Sequence, residues 1–194
     1  PKKNITSEQF LKIKSDWLIQ NGDLQLMQDY LIKNQNVNEN SKLTKFLVDE
    51  YLSKSELKKA CDVFSKINKV INDDYLLKFN LYCLINANER EEAQLQFDLK
   101  KELGFKDEFF EEKFNYLMEY ETKISNKISE KSILDFHLSH RTNSEFKYEP
   151  NELTAKNIWQ YLSTSNLLDS IENVDLEDQN KISLIEKATH ERNY

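Results

Sequence analysis

The sequence contains only two glycines and two prolines among 194 residues. Sheets and barrels depend on many tight turns, and tight turns are built largely from these two residue types. Their scarcity excludes a strand-rich fold and predicts an all-α protein. With 39% hydrophobic and 11% aromatic residues, the chain still has enough nonpolar side chains to bury a core. This composition argues against a wholly disordered chain.

Long apolar runs are also missing, and no stretch approaches the roughly 18–20 residues that a membrane span requires. Basic residues are outnumbered, so that the net charge is −7. Nucleic-acid binding needs a concentrated basic surface, and we therefore expect no nucleic-acid partner. The chain opens on Pro1 rather than Met and stops abruptly. We interpret it as a piece of a longer protein, whose missing targeting signals are uninformative.

Residues that carry catalysis or bind metals are sparse. Cys61 and Cys83 form no CxxC pair and lie near no histidine cluster. This pattern predicts buried, reduced cysteines rather than a disulfide scaffold or a zinc site. Two glycines can hardly build a phosphate-binding loop or a nucleophile elbow. Adjacent acids such as Glu91 and Glu92 point about 100° apart on a helix, unlike a converging glycosidase pair. We expect no enzymatic activity, no cofactor and no metal.

The sequence does contain three pairs of amphipathic helices. Thr6 and Gln9 have the spacing of a capping box, and a stripe with a 3.6-residue period follows them. "NGD" at 21–23 ends this helix, and "DLQLMQDYLIKN" begins the next. Further pairs are predicted over 41–51 with 55–67, and over 73–85 with 89–103. Gly104 closes the third pair, where a left-handed cap is usual.

The three pairs share one register with a spacing of 33 residues. Six positions are apolar in every copy: Phe10/Leu43/Leu76, Ile13/Phe46/Phe79, Leu18/Tyr51/Leu84, Met27/Ala60/Ala93, Leu31/Phe64/Phe97 and Val37/Val70/Leu103. Independent helices would not keep a common phase across two helices and a turn. The pattern indicates an internal repeat, whose helix pairs bury their apolar faces by stacking on their neighbours. These six columns are the predicted core.

The repeat resembles the tetratricopeptide (TPR) family. In that family an aromatic residue late in the first helix is followed by an alanine early in the second and an aromatic four residues later. Tyr51, Ala60 and Phe64 match these positions, and Leu84, Ala93 and Phe97 match more loosely. The family's helix-A glycine and closing proline are absent, and the period is one residue short. The resemblance covers residues 5–104 and implies a right-handed α-solenoid of antiparallel helix pairs.

A second resemblance extends further along the chain. "YLLKFNLYCLINANEREEAQLQFDLKKELGFKDEFF", followed by "ILDFHLSHRT", resembles a segment of long bacterial proteins of helical repeats. Some of these proteins carry the label "antifreeze glycopeptide polyprotein". The resemblance implies an internal fragment of a large bacterial helical scaffold. It leaves the compartment open between the cell envelope or periplasm and the cytoplasm.

Residues 105–194 are predicted to continue or cap the stack as an irregular helical part of one elongated unit of about ten helices. A helix over 107–120 is either a fourth irregular copy or a cap. A short helix over 133–140, a loop over 141–152, a helix capped by Asn151 and a last helix in the tail follow. His137 and His140 have a metal-like spacing but no further ligands nearby, so we expect structural or capping histidines.

The candidate binding surface comes from two polar columns in the first helix of each pair. These columns are Lys12, Lys45 and Lys78 and, four residues later, Asp16, Asp49 and Tyr82. The resemblance to the TPR family implies that they line a concave groove. A ladder of ammonium groups suits an acidic extended segment or a C-terminal carboxylate. Alternatively, Lys12–Asp16 and Lys45–Asp49 are surface i,i+4 pairs that stabilise a helix by a few tenths of a kcal/mol each.

The leading hypothesis is a non-catalytic helical-repeat scaffold or protein–protein interaction module that binds a peptide or protein segment on the concave face of residues 9–85. The alternative is a helical accessory region of a cell-envelope enzyme, similar to the superhelix of a lytic transglycosylase, with its catalytic domain outside this chain. A nucleic-acid-binding helical repeat is a third hypothesis, which the acidic net charge disfavours. The oligomeric state stays open.

Overall fold

The computed structural model describes residues 5–34, 40–65 and 71–168, together with positions 182, 183 and 186. All regular secondary structure in this part of the chain is helical, which confirms the all-α prediction. No helix within these ranges is long and apolar enough to cross a membrane. The helices are α1 (Ser7–Asn21), α2 (Leu24–Lys33), α3 (Ser41–Ser53), α4 (Leu57–Ser65), α5 (Asp74–Asn86), α6 (Arg90–Glu102), α7 (Glu108–Leu117), α8 (Ile133–Arg141) and α9 (Lys156–Thr164).

Side-chain caps determine where most of these helices begin. The Thr6 hydroxyl accepts from the backbone N–H of Gln9, and the Gln9 side chain accepts from the backbone N–H of Thr6. This confirms the predicted capping box. The side chains that cap α2, α5, α7 and α8 are Asp23, Asp73, Asp107 and Ser132. Each satisfies backbone N–H groups that have no partner within the helix.

The turn inside each helix pair has a left-handed residue at the same position of the repeat. Gly22, Ser55 and Asn88 have φ angles of 71°, 58° and 63°. Residues in this conformation commonly end helices, because they let the following N–H groups reach carbonyls of the last turn. In the second copy the backbone N–H of Glu56 donates to the carbonyl of Tyr51 over 2.8 Å. The 33-residue period is therefore a period of backbone conformation as well as of sequence.

Two of the predicted columns form the core. They are Met27, Ala60 and Ala93 and, four residues later, Leu31, Phe64 and Phe97, and all six are buried. The ring centroids of Phe64 and Phe79 lie 5.4 Å apart, and those of Phe97 and Phe114 lie 4.3 Å apart. Both contacts join the second helix of one copy to the first helix that follows it.

Other predicted core positions are exposed. Phe10 and Ile13 on α1 are 56% and 58% exposed, although their counterparts Leu76 and Phe79 on α5 are fully buried. The physical reason is that the described residues place no helix pair before α1, so nothing there covers this face. Leu103 is also exposed, because it lies beyond the last residue of α6. The remaining members of its column, at 37 and 70, lie outside the described residues.

Two predicted boundaries are wrong. The fourth helix begins at Leu57 rather than at 55, because Ser55 occupies the left-handed turn. The ninth begins at Lys156 with Ala155 as its N-cap, so Asn151 does not cap it. The Asn151 side chain instead accepts from the backbone N–H of Leu153 and forms a local turn. The predicted tail helix falls almost wholly outside the described residues.

The helix α7 begins with an aspartate cap as α5 does, and its assignment as a fourth irregular copy or a cap stays a prediction. Its cap Asp107 lies 34 residues after Asp73, which caps α5, so one extra residue explains why the 33-residue register weakens here. Phe110 and Phe114 on α7 are buried. The connection before it passes through Gly104, whose φ of 94° confirms the predicted left-handed position.

The described residues form two compact units. One holds the residues up to Val48 together with Leu57–Glu121, and the other holds Asp49–Glu56 together with the residues from Thr122 onwards. Within the second unit, the Ser53 hydroxyl donates to the Gln160 side chain over 3.0 Å. A local sequence pattern does not reveal such contacts, and the sequence-based division at residue 105 stays a prediction.

Candidate functional site

The three lysines of the predicted binding surface have different environments. Lys12 on α1 is exposed. Lys45 on α3 lies with its Nζ 2.5 Å from a carboxylate oxygen of Asp73. Lys78 on α5 is only 8% exposed, and its Nζ lies 2.8 Å from a carboxylate oxygen of Asp107. Two of the three ammonium groups are therefore paired with carboxylates of the same chain.

Both of these carboxylates are helix caps of the next copy. Asp73 accepts two backbone N–H bonds at the start of α5, and Asp107 accepts one at the start of α7. Asp73 thus connects the start of α5 to Lys45 on α3, and Asp107 connects the start of α7 to Lys78 on α5. We refer to Lys45–Asp73 and Lys78–Asp107 as the inter-copy ion pairs. At the start of the second copy, before α3, the position equivalent to Asp73 is the uncharged Asn40.

The residues of the second predicted column, Asp16, Asp49 and Tyr82, also lie in different environments. Asp16 pairs with Lys42 on α3 at 2.5 Å. Tyr82 is buried, and Asp49 belongs to the second compact unit. Asp16 and Lys45 thus pair with residues of the following helix pair, and not with the oppositely charged residues four positions away on their own helices. An i,i+4 ion pair is weaker when the lysine comes before the acid in sequence, as it does here. This order favours pairing with residues of other helices.

Loss of the inter-copy ion pair at Lys78 should destabilise the fold measurably. Asp107→Ala removes the cap of α7 and the carboxylate that pairs with a nearly buried ammonium group, so we expect the free energy of unfolding to fall by about 2 kcal/mol. Asp107→Asn can still cap the helix and should cost about 1 kcal/mol. Urea denaturation measures both values. Asp23→Ala, at the exposed cap of α2, is the matched control for a lost cap. If Asp107→Ala costs no more than this control, the ion pair contributes nothing.

Sequence reasoning missed the surroundings of the two histidines on α8. Nδ1 of His137 lies 2.9 Å from the hydroxyl oxygen of Tyr161 on α9, and Nδ1 of His140 lies 2.7 Å from the same oxygen. The hydroxyl has one proton to donate, so at least one of the two rings donates its Nδ1–H to the hydroxyl oxygen. Burial, followed by the charge of Arg141, lowers the pKa of His137 to about 3. The same two causes lower the pKa of His140.

These contacts give both histidines a structural role between α8 and α9. Phe136 adds to the same cluster, with its ring edge-on to that of Tyr161 at 5.7 Å between centroids. Among the residues that the structure describes, no group of three His, Cys, Asp or Glu side chains is placed to hold a metal ion. No sequence pattern pointed to Tyr161, because it lies 24 positions from His137 on another helix.

The expectation of two reduced cysteines is wrong. Cys61 on α4 and Cys83 on α5 form a disulfide, and their Cα atoms lie 5.5 Å apart. Two cysteines in a chain of this length carry no disulfide pattern of their own. The repeat register was the available signal, because Cys61 directly follows Ala60 and Cys83 directly precedes Leu84 in the repeat columns. The second helix of one copy and the first helix of the next bring these positions together.

The groups described so far connect helices to one another. The inter-copy ion pairs, the disulfide and the histidine–tyrosine cluster each join two different helices, and Lys12 stays at the surface. The chain matches no protein-family model, no curated protein and no solved structure.

Proposed function

We propose that the chain is a non-catalytic protein-interaction module, built as a right-handed solenoid of TPR-like helix pairs. The observation that carries the proposal is the left-handed turn that recurs every 33 residues at Gly22, Ser55 and Asn88. The ring contacts and inter-copy ion pairs between successive copies support stacking of the pairs. Stacked helix pairs create an extended concave surface, which repeat proteins use to bind extended partners.

The proposed binding surface is the concave face of residues 9–85, and the proposed partner is an acidic peptide segment. Asp73 and Asp107 already neutralise Lys45 and Lys78, so these two lysines contribute shape and helix alignment more than net charge. Lys12 is exposed. The position that corresponds to Asp73, the partner of Lys45, is for Lys12 the uncharged Asn40. An acidic segment or a C-terminal carboxylate is therefore expected to meet Lys12 first.

Selection of binders from a random peptide library with free C termini tests this proposal. Selected peptides should be acidic, and Lys12→Glu should weaken their binding about tenfold, because a charge-assisted contact worth about 1.5 kcal/mol is replaced by repulsion. Titration calorimetry gives the dissociation constants. Lys58→Glu, at an exposed lysine of α4, changes the net charge equally and should leave the affinity unchanged.

Two outcomes contradict the proposal. One is that the wild-type chain enriches no peptide above a control surface without protein. The other is that the selected peptides bind Lys12→Glu as tightly as wild type. Because Lys12 is exposed, circular dichroism of the variant should match that of wild type and exclude unfolding as the cause of lost binding.

A further inference from the structure

An apolar stripe runs along α6 and onto its C-cap Leu103, on the side away from the core. Leu95, Leu99 and Leu103 follow one another at intervals of four residues and are 56%, 52% and 79% exposed. At 100° per residue they lie within an arc of about 80° of the helix surface. The buried side chains of Ala93 and Phe97 lie on the opposite side of the same helix. We refer to the three residues as the leucine stripe.

The repeat does not require apolar residues at positions 95 and 99, whereas Leu103 belongs to the apolar column Val37/Val70/Leu103. The counterparts of Leu95 in the two earlier copies are Asp62 and Asp29, and the counterpart of Leu99 in the first copy is Lys33. All three counterparts are exposed and charged, so a second helix of this repeat forms without leucines there. A contiguous exposed apolar surface of this kind commonly marks a place where another molecule binds.

Carboxylates border the leucine stripe. On the helix surface, three acidic residues lie within about 60° on one side of Leu95, and a fourth lies between the directions of Leu99 and Leu103. The three beside Leu95 are Glu91, Asp98 and Glu102, and the fourth is Glu92. All four are exposed. We refer to them as the acidic rim. Among the cations of α6, the half-buried Lys100 lies nearest the stripe by helical geometry, which leaves this face of α6 acidic overall.

The other cations of α6 form ion pairs on the side that faces α7. A guanidinium nitrogen of Arg90 lies 2.6 Å from the carboxylate of Glu119. Lys101 pairs with Glu111 on α7. These pairs direct positive charge away from the leucine stripe, so the acidic rim is compensated little from within its own helix.

We propose that the leucine stripe binds a basic amphipathic helix of a partner protein. Apolar side chains of such a helix, spaced by three and four residues, would cover the leucines, and flanking lysines or arginines would meet the acidic rim. Charge selects this occupant, because a second copy of the stripe or an anionic lipid surface would place like charges together. The inference goes beyond the proposed function, since the surface is separate from Lys12 and its partner has the opposite charge.

A synthetic peptide of two Leu-Lys-Lys-Leu-Leu-Lys-Leu heptads, which forms a basic amphipathic helix, is a suitable probe. Titration calorimetry should show that wild type binds it about tenfold more tightly than a permuted peptide of equal composition without an apolar face. Leu95→Asp/Leu99→Asp makes the chain more acidic. It should nevertheless weaken binding of the amphipathic peptide about tenfold, because the apolar contact is lost.

Lys33→Asp on α2 is the matched control, because it changes the net charge by the same amount at the position equivalent to Leu99. It should bind the probe at least as well as wild type. Equal binding by the leucine variant and wild type would show attraction by charge alone and overturn the proposal, as would no preference between the two peptides. Sedimentation that reveals a wild-type dimer dissociated by the leucine variant would assign the stripe to a second copy instead. None of these results depends on Lys12→Glu.

Discussion

Reduction of the Cys61–Cys83 disulfide should lower the free energy of unfolding by about 3 kcal/mol. The bond joins residues 22 positions apart, and a cross-link around a loop of about this length removes that much chain entropy from the unfolded state. It also connects α4 to α5, where one copy meets the next. Urea denaturation with and without a phosphine reductant should therefore give clearly separated midpoints.

The double variant Cys61→Ala/Cys83→Ala provides the control, because its stability should not respond to the reductant. Thiol alkylation followed by mass spectrometry should label both cysteines only after reduction. Disulfides persist in oxidising compartments and are rare in reducing ones. We therefore expect the dithiol form when the chain is produced in a reducing cytosol. Identical denaturation curves for the oxidised and reduced wild type would refute the predicted stabilisation.

The helices and turns were predictable because the residues that determine them lie close together in sequence. The capping box needs only Thr6 and Gln9, and the end of α1 needs only the left-handed conformation at Gly22. The repeat columns added the core, since Ala60 and Ala93 are buried as their register predicted. The all-α class and the inner core therefore follow from local chemistry and one period.

The partners of the charged residues were not predictable in the same way. The sequence offered Lys45 an acid four residues away, but the structure pairs it with Asp73, 28 positions further along the chain. Backbone N–H groups at the start of α5 hold one carboxylate oxygen of Asp73, and the other oxygen pairs with Lys45. The period likewise predicts that Phe10 belongs to an apolar face without stating whether another helix covers it. Such outcomes depend on which helices become neighbours.

Acidification from pH 7 to pH 4 should destabilise the second compact unit by about 3 kcal/mol through His137 alone. An imidazole in an unfolded chain has a pKa near 6.5, whereas burial lowers the pKa of His137 to about 3 in the fold. Between these values the unfolded chain binds the proton and the folded chain does not. The stability contributed by the neutral ring is therefore complete above pH 6.5. It is lost by about 1.4 kcal/mol per pH unit as the pH falls towards 3.

The variant His137→Asn isolates this effect, because an amide places a polar atom near the position of Nδ1 without titrating. It loses ring packing and should be less stable than wild type at pH 7. The difference in unfolding free energy between the two proteins should shrink by about 3 kcal/mol between pH 7 and pH 4, since carboxylates titrate in both proteins and cancel. The lowered pKa of His140 destabilises the fold in the same direction and is shared by both proteins. Parallel pH profiles for wild type and His137→Asn would mean that burial and the charge of Arg141 do not hold His137 neutral.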